Sequence, residues 1–315
     1  MKPFFFSVLS PNIFRRRLQF VCLSITNFRE GRAKPLRGFH FYHAAQIMPG
    51  KYKEPVLKVT ETEKKKYDKN FYERNKSEEK LKNVTIVLDE VFKIIPPCNS
   101  AVDFGCATGT WLKGMEKFGI IDIRGYDGKW VDQSKLLIPK ESFFEADFDK
   151  PLAIERKFDL AISIEVGEHL LESSADAFVE NITKSADIVL FSAAIPYQGG
   201  DNHVNEQWPE YWNEKFNRLG FVCIDCLRKI LWRNQDVFDF YRQNMLLFVN
   251  KKRIDEINVS KSDICYDHPP MSLVSPDSYL RLVKYKNFFK PLTFLKIIFR
   301  KAVGEKNFNK LKDRI

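Results

Sequence analysis

The stretch Ala101-Val102-Asp103-Phe104-Gly105-Cys106-Ala107-Thr108-Gly109 decides the fold. Apolar residues carrying one acid run into a loop of small residues, and helix-compatible sequence follows from Thr110 to Phe118. The expected elements are a strand, a tight turn and a helix start. Glycine at 105 and 109 lets the backbone approach a ligand closely, and a helix N-terminus offers free N–H groups to a polar or anionic group. On these features the stretch is a nucleotide-type cofactor loop in an α/β sheet.

Outward from this loop, further strands can be read. Ile123-Arg124-Gly125-Tyr126-Asp127 ends in an acid 24 residues after Asp103, near the spacing at which such an acid reaches ribose hydroxyls. Ser142 to Phe148 is a third strand with Asp147 near its end, and Lys157 to Ile164 a fourth. The fourth is almost continuously apolar, as a strand covered on both faces should be. Asp187 to Ser192 is a fifth, Phe221 to Leu227 reads as a strand, and Tyr241 to Val249 as the last. Helical stretches between most of them imply right-handed crossovers and a parallel sheet. A nicotinamide-binding sheet would want a third glycine opening the helix, and that glycine is absent.

The ordered set Val102 to Gly109, Gly125-Tyr126-Asp127, Ala146-Asp147 and Phe158-Asp159-Leu160 resembles the class I S-adenosylmethionine-dependent methyltransferases, over about residues 67 to 250. The resemblance implies an α/β, Rossmann-like fold: a mostly parallel seven-stranded sheet with helices on both faces. It implies roles for single residues. Gly105, Cys106, Ala107 and Gly109 would pass the methionine part of the cofactor, and Asp103 would sit near its amino group. Asp127 would hold the ribose hydroxyls. Asp147 would accept from the adenine amino group, with Phe148 against the ring. Ala107 departs from the usual middle glycine and is tolerated if its φ is negative.

A second constellation, Glu165-Val166-Gly167-Glu168-His169-Leu170, sits at the carboxyl end of the fourth strand, where ligands bind in open α/β sheets. If a helix begins there, Glu165, Glu168 and His169 share one face at i, i+3 and i+4. Gly199 to Trp212, with His203 inside it, returns to the same rim after strand five. Glu-x-x-Glu-His plus a later His resembles the metal-dependent O-methyltransferases. The resemblance implies that Glu165, Glu168, His169 and His203 hold Mg²⁺ or Mn²⁺, with Glu165 also on the cofactor side. Coordination would lower the pKa of an acceptor hydroxyl and fix its orientation. Metal-free alternatives stay open: His203 or His169 as general base, and Glu165 as a first-turn acid favoured by the helix dipole.

Ala193 to Trp212, with Tyr241 to Val249 and Ser275 to Leu280, resembles bacterial methyltransferases linked to glycan pathways. The expected reaction is O-methylation of a hydroxyl on a sugar, glycan or related small molecule, with Trp208, Tyr211 and Trp212 available to stack on sugar faces. An RNA 3′-terminal 2′-O-methyltransferase and a non-catalytic cofactor-binding module are the alternatives.

Charge is unevenly placed. The net charge of +10 divides into +7 on residues 1–47, +8 on 251–315 and −5 on 48–250, so the presumed catalytic part is acidic and carries no phosphate-tracking pattern. Residues 1–47 read as a leader or a spurious extension ahead of Met48. Residues 48–95 read as a helical lid region with Tyr67, Phe71 and Tyr72 near helical spacing, 96–250 as the cofactor-binding domain, and 251–315 as a basic helical extension. Within that extension, 288–303 mixes apolar and basic residues and suits peripheral membrane contact. Cys223 and Cys226, three apart on an expected strand, face opposite sides and cannot chelate together. The expected setting is reduced and cytoplasmic.

Overall fold

A computed structural model of the protein describes residues 69–284. The expectations placed on the leader 1–47, on Met48, on Tyr67 and on the membrane-contact stretch 288–303 lie outside these residues.

Strands β1 (Ser100–Phe104), β2 (Asp122–Asp127), β3 (Phe143–Glu145), β4 (Leu160–Ile164), β5 (Ile188–Ser192), β6 (Phe221–Ile224) and β7 (Leu246–Asn250) form one sheet, ordered β3-β2-β1-β4-β5-β7-β6. The first five pair in parallel, and β7 runs antiparallel between β5 and β6. The expected mostly parallel, seven-stranded sheet is present. Strand order reverses between β1 and β4, so the crevice above their carboxyl ends is the place where such sheets take ligands.

Burial on both faces explains the apolar runs. Ala101, Leu160 and Ile162 point into one layer with Val84, Leu88, Leu112, Met115 and Leu247. Val102, Phe104 and Ala161 alternate into the other with Phe178, Phe191, Phe216 and Phe248. Each Val, Leu, Ile, Met or Phe side chain among them contributes about 1.5–3 kcal/mol on leaving water. In the second layer Phe216 stacks on Phe248 with centroids 3.9 Å apart.

Helices α1 (Lys69–Lys76) and α2 (Glu78–Phe92) precede the sheet. Ser77 caps α2 by accepting from the Lys80 N–H, and Glu78 and Glu79 complement the helix dipole. The apolar side of α2 packs on α3 (Thr110–Met115), where a Cβ on Gly114 would meet Val84 at 2.6 Å. The remaining helices are α4 (Ala175–Ser185), α5 (Pro209–Arg218), α6 (Leu227–Leu231) and α7 (Asp239–Asn244).

Several expected boundaries shift. Strand β3 stops at Glu145, because Asp147 accepts the Asp149 N–H and turns the chain. Residues 241–244 are helical rather than strand. Tyr241 packs edge-on against Trp111, and Gln243 and Asn244 are buried polar groups bonded to each other. A short buried helix and a buried strand share the same apolar run, so periodicity does not separate them. Strand β6 ends at Ile224, and Cys226 stands at the start of α6. The thiol opposite Cys223 belongs to Cys265, whose N–H donates to the Cys223 carbonyl at 2.9 Å. Beyond β7 the described chain is loop and 3-10 turn, Lys251–Glu256 and Lys261–Asp263, and is α-helical only from 276 to 284. Among the described residues no helix is long and apolar enough to cross a membrane.

Candidate active site

The loop after β1 is built by its own backbone. Gly105 (φ 87°) and Cys106 both donate to the Tyr126 carbonyl on β2, at 2.8 and 3.1 Å. The Gly109 N–H closes the turn onto the Cys106 carbonyl at 2.7 Å. A Cβ on Gly105 would lie 2.4 Å from Val166, so the loop packs directly on the chain leaving β4. Ala107 has φ 50°, against the negative value anticipated. Its N–H is drawn to Asp127 Oδ2 at 2.7 Å, and that bond fixes the left-handed turn which a glycine would adopt without strain. Asp127 also accepts the Gly128 N–H at 2.6 Å. The acid expected at the ribose therefore shapes the cofactor loop as well.

Asp103 is buried, and burial, followed by the Asp127 charge, pushes its carboxyl well above the usual range. Its Oδ2 has no hydrogen-bond partner. Such an atom is costly unless something donates to it. An ammonium group answers it, which fits the amino group of S-adenosylmethionine. Cys106 is a packing residue, its thiol pushed up by burial and its Sγ set where a Gly125 side chain would be.

Two expected adenine contacts are altered. Asp147 pairs with Lys150 at 2.8 Å and braces the turn after β3. The Phe148 ring is committed to the core, 5.2 Å from Phe178 and 6.1 Å from Phe104, and is not a free wall for the base.

On the other side of the crevice, Glu168, His169 and His203 present ligand atoms all within 4.8 Å of one another. They do not come from an α-helix. Gly167–His169 is a single 3-10 turn, and its Glu168 carbonyl accepts the Val204 and Asn205 N–H groups at 2.8 and 3.0 Å, which fastens the His203 loop beside it. The imidazoles meet edge-on with centroids 4.8 Å apart. His203 Nε2 lies 4.0 Å from Glu168 Oε1. Both Glu168 oxygens are buried without a hydrogen-bond partner, and burial holds this carboxyl well above the usual range. His169 is exposed as a residue, but the side of its ring packed into the cluster is desolvated and faces His203, which pulls it below the ordinary imidazole range. One unpaired buried carboxylate and two imidazole nitrogens suit a divalent cation with open positions.

Glu165 leaves this cluster. It stands at φ 56°, so the run 165–169 is not one helical face and the i, i+3, i+4 expectation fails. Its carboxylate instead accepts from Gln198 Nε2 at 2.8 Å and Asn244 Nδ2 at 3.1 Å. Gln243 extends the amide network to Gln198 and to the Ser275 N–H.

Sequence reading missed Glu206. Its Oε1 faces His203 Nδ1 at 2.9 Å, and its carboxylate accepts the Tyr197 and Gly199 N–H groups at 2.7 and 2.8 Å. With Nδ1 held against Glu206, His203 directs Nε2 toward Glu168. The available signal was the His-x-x-Glu spacing in a glycine-rich loop. Gly200 is part of the same fit, since a Cβ there would lie 2.2 Å from His203 Nε2.

A doubly wound sheet with a glycine loop at its switch point and an acid ending the second strand defines a nucleoside-cofactor enzyme of the α/β class. The chain belongs to the family described as methyltransferase domain, whose profile matches residues 72–234. Residues 72–234 are accordingly a methyltransferase domain. No curated protein matches the chain. Among solved structures it is similar to DesVI of Streptomyces venezuelae, at 19% identity over 42% of this chain, with a TM-score of 0.35. The chain covers 58% of DesVI, less than two thirds of its length. It is also similar to the methyltransferase domain of bacterial CtHen1-C, at 18% identity over 54% of this chain and 96% of that one, with a TM-score of 0.40. A further similar structure is an S-adenosylmethionine-dependent methyltransferase from Archaeoglobus fulgidus, at 14% identity over 58% of this chain and 98% of that one, with a TM-score of 0.42.

Proposed function

We propose that the chain transfers its methyl group to a hydroxyl oxygen of a sugar, glycan or related small molecule, with a divalent cation held by Glu168, His169 and His203. The observation that carries this reading is the Glu168 carboxylate, buried and unbonded at both oxygens within reach of two imidazoles. S-adenosylmethionine supplies a methyl group on a positively charged sulfur, and Mg²⁺ or Mn²⁺ supplies Lewis acidity toward the acceptor hydroxyl. The residues do the positioning. Asp103 and the Gly105–Gly109 loop hold the donor on one side of the crevice. Glu206 fixes the His203 ring on the other. Glu165 ties the strand end to Gln198 and Asn244 and keeps the acceptor loop in place. Tyr197 and Trp208, both exposed near the histidines in sequence, provide aromatic faces for a sugar ring.

The test is a screen of nucleotide-sugars, oligosaccharides and short RNA with labelled methyl donor, with and without Mn²⁺. Cation-dependent labelling of a sugar hydroxyl is expected. Labelling that survives chelation sinks the metal assignment, and labelling of RNA in place of sugars sinks the acceptor.

A further inference from the structure

The helix over 276–284 is turned the opposite way from a helix that packs on a core. By helical periodicity Tyr279, Leu280, Leu282 and Val283 share one side, and Asp277, Ser278, Arg281 and Lys284 the other. The rest of the molecule holds the polar side. Arg281 and the Ser278 hydroxyl donate to Asp239 Oδ2 at 2.6 and 3.1 Å, and Arg242 donates to Asp277 Oδ2 at 3.1 Å. The Ser278 N–H is taken by the Ser275 hydroxyl at 3.1 Å, and the Ser275 N–H by Gln243 at 2.7 Å. The apolar side is left outside. Tyr279, Leu280 and Leu282 are 60, 51 and 39% exposed, and Met271 and Val274 just ahead of the helix are exposed as well. A contiguous apolar stripe of this kind, rimmed by polar residues, marks a surface that something covers.

Charge selects the partner. From Ser278 to Val303 the sequence holds seven Lys/Arg and no acid. A second copy is disfavoured, because each chain brings a net +8 on residues 251–315 against the other. A nucleic acid would answer the charge and leave Leu280 and Leu282 in water. An anionic bilayer answers both, with headgroups for the cations and the acyl boundary for the apolar side chains. We propose that the helix over 276–284 docks on an anionic lipid surface, with Tyr279, Leu280 and Leu282 sunk into the acyl boundary. The basic sequence that follows supplies the attraction to the headgroups. Through Ser275 and Gln243 the helix is tied to α7, whose Asn244 reaches Glu165, so docking bears on the acceptor side of the crevice. The inference is independent of the metal and of the identity of the acceptor.

Flotation of the full chain with vesicles decides it, using phosphatidylcholine alone and phosphatidylcholine mixed with phosphatidylglycerol, at low and high salt. Wild type should partition onto the anionic vesicles, more weakly as salt rises, and stay off the neutral ones. Leu280→Ser with Leu282→Ser should lower the partition coefficient about tenfold or more. Lys284→Gln with Lys286→Gln should lower it about fivefold for each lysine. Tyr279→Trp should add fluorescence that brominated acyl chains quench, over and above the wild-type signal. Wild type that ignores anionic vesicles, or binds neutral ones equally well, overturns the proposal. So does full binding by the leucine variant. A leucine variant that melts well below wild type without lipid, together with an unquenched Tyr279→Trp, would mean that the chain itself covers this face. A wild-type dimer that the leucine variant breaks would put a second copy there, and retention on short RNA without vesicle binding would put a nucleic acid there. Each of these three outcomes also overturns the proposal.

Discussion

At Glu168 a carboxylate is held against its own ionisation. Burial raises its folded-state pKa well above the ordinary 4.5, so the folded protein keeps a proton that the unfolded chain releases. Stability of the metal-free protein therefore declines as pH rises from about 4.5 through the raised value. A cation has to displace that proton, so its affinity rises over the same range. His169, pulled down to about 4, does not compete for protons above about pH 5. The thermal shift given by Mn²⁺ should accordingly be larger at pH 8 than at pH 5.5. Glu168→Gln should abolish the shift while leaving the metal-free melting temperature unchanged or higher, because it replaces a buried group whose ionised form is disfavoured by a neutral amide of the same shape. A Mn²⁺ shift independent of pH, or retained in Glu168→Gln, would remove Glu168 from the ligand set. Ala107 offers a second check at this scale. Its φ of 50° costs an alanine roughly 1 kcal/mol over a glycine, so Ala107→Gly should raise stability by about that amount in chemical denaturation and leave cofactor affinity intact. A loss of stability would mean that the methyl group packs better than the turn is strained.

Among the elements, the segment between β5 and α5 does the most with the fewest regular bonds. Tyr197, Gly199 and Asn202 all have positive φ, and Glu206 gathers two of the segment's N–H groups together with His203. The Glu206 carboxyl lies below its usual range: burial opposes that shift, and His203 with the two backbone donors overcomes it. Removing such a partner behind a ligating histidine typically costs 10- to 100-fold in metal affinity. Glu206→Ala should show a loss of about that size for Mn²⁺, and an isolated change at His203 in its NMR ring signals. An unaltered ring with unaltered affinity would make Glu206 a loop staple only. The sequence makes the neighbouring strands plain because β1, β4 and β5 are buried on both faces and read as mostly apolar runs, interrupted by Asp103 in β1 and Ser163 in β4. It does not reveal Glu165, because grouping that residue with Glu168 and His169 assumes a helix where the chain makes a left-handed residue and one 3-10 turn. Glu206 escapes for another reason. Its His-x-x-Glu spacing is a slight signal by itself, and its role comes from the Tyr197 and Gly199 N–H groups that the loop folds back onto it.

For the molecule as a whole, the order β3-β2-β1-β4-β5-β7-β6 puts the two halves of the site on opposite sides of one seam. Asp103 and Asp127 come from β1 and β2, while Glu168 and His203 follow β4 and β5. The order and spacing of the acids on the first side were legible, because each ends or sits on a strand of the sheet. The geometry of the second side was not, because loops determine it. A cofactor that spans the seam contacts groups that coexist only in the folded sheet, and so it binds the native state alone. The linked stabilisation is then about 2.7 kcal/mol at a hundredfold excess over Kd. For a body of this size that corresponds to roughly 5–10 °C in melting temperature. S-adenosylhomocysteine should give such a shift. Asp127→Asn should lose most of it, because the amide is a weaker acceptor for the Ala107 N–H that sets the loop, and for any ribose hydroxyl. If wild type shows no shift, or if Asp127→Asn shifts as far as wild type, the seam between β1 and β4 is not where the donor binds. The loop at Gly105 would then be only a turn.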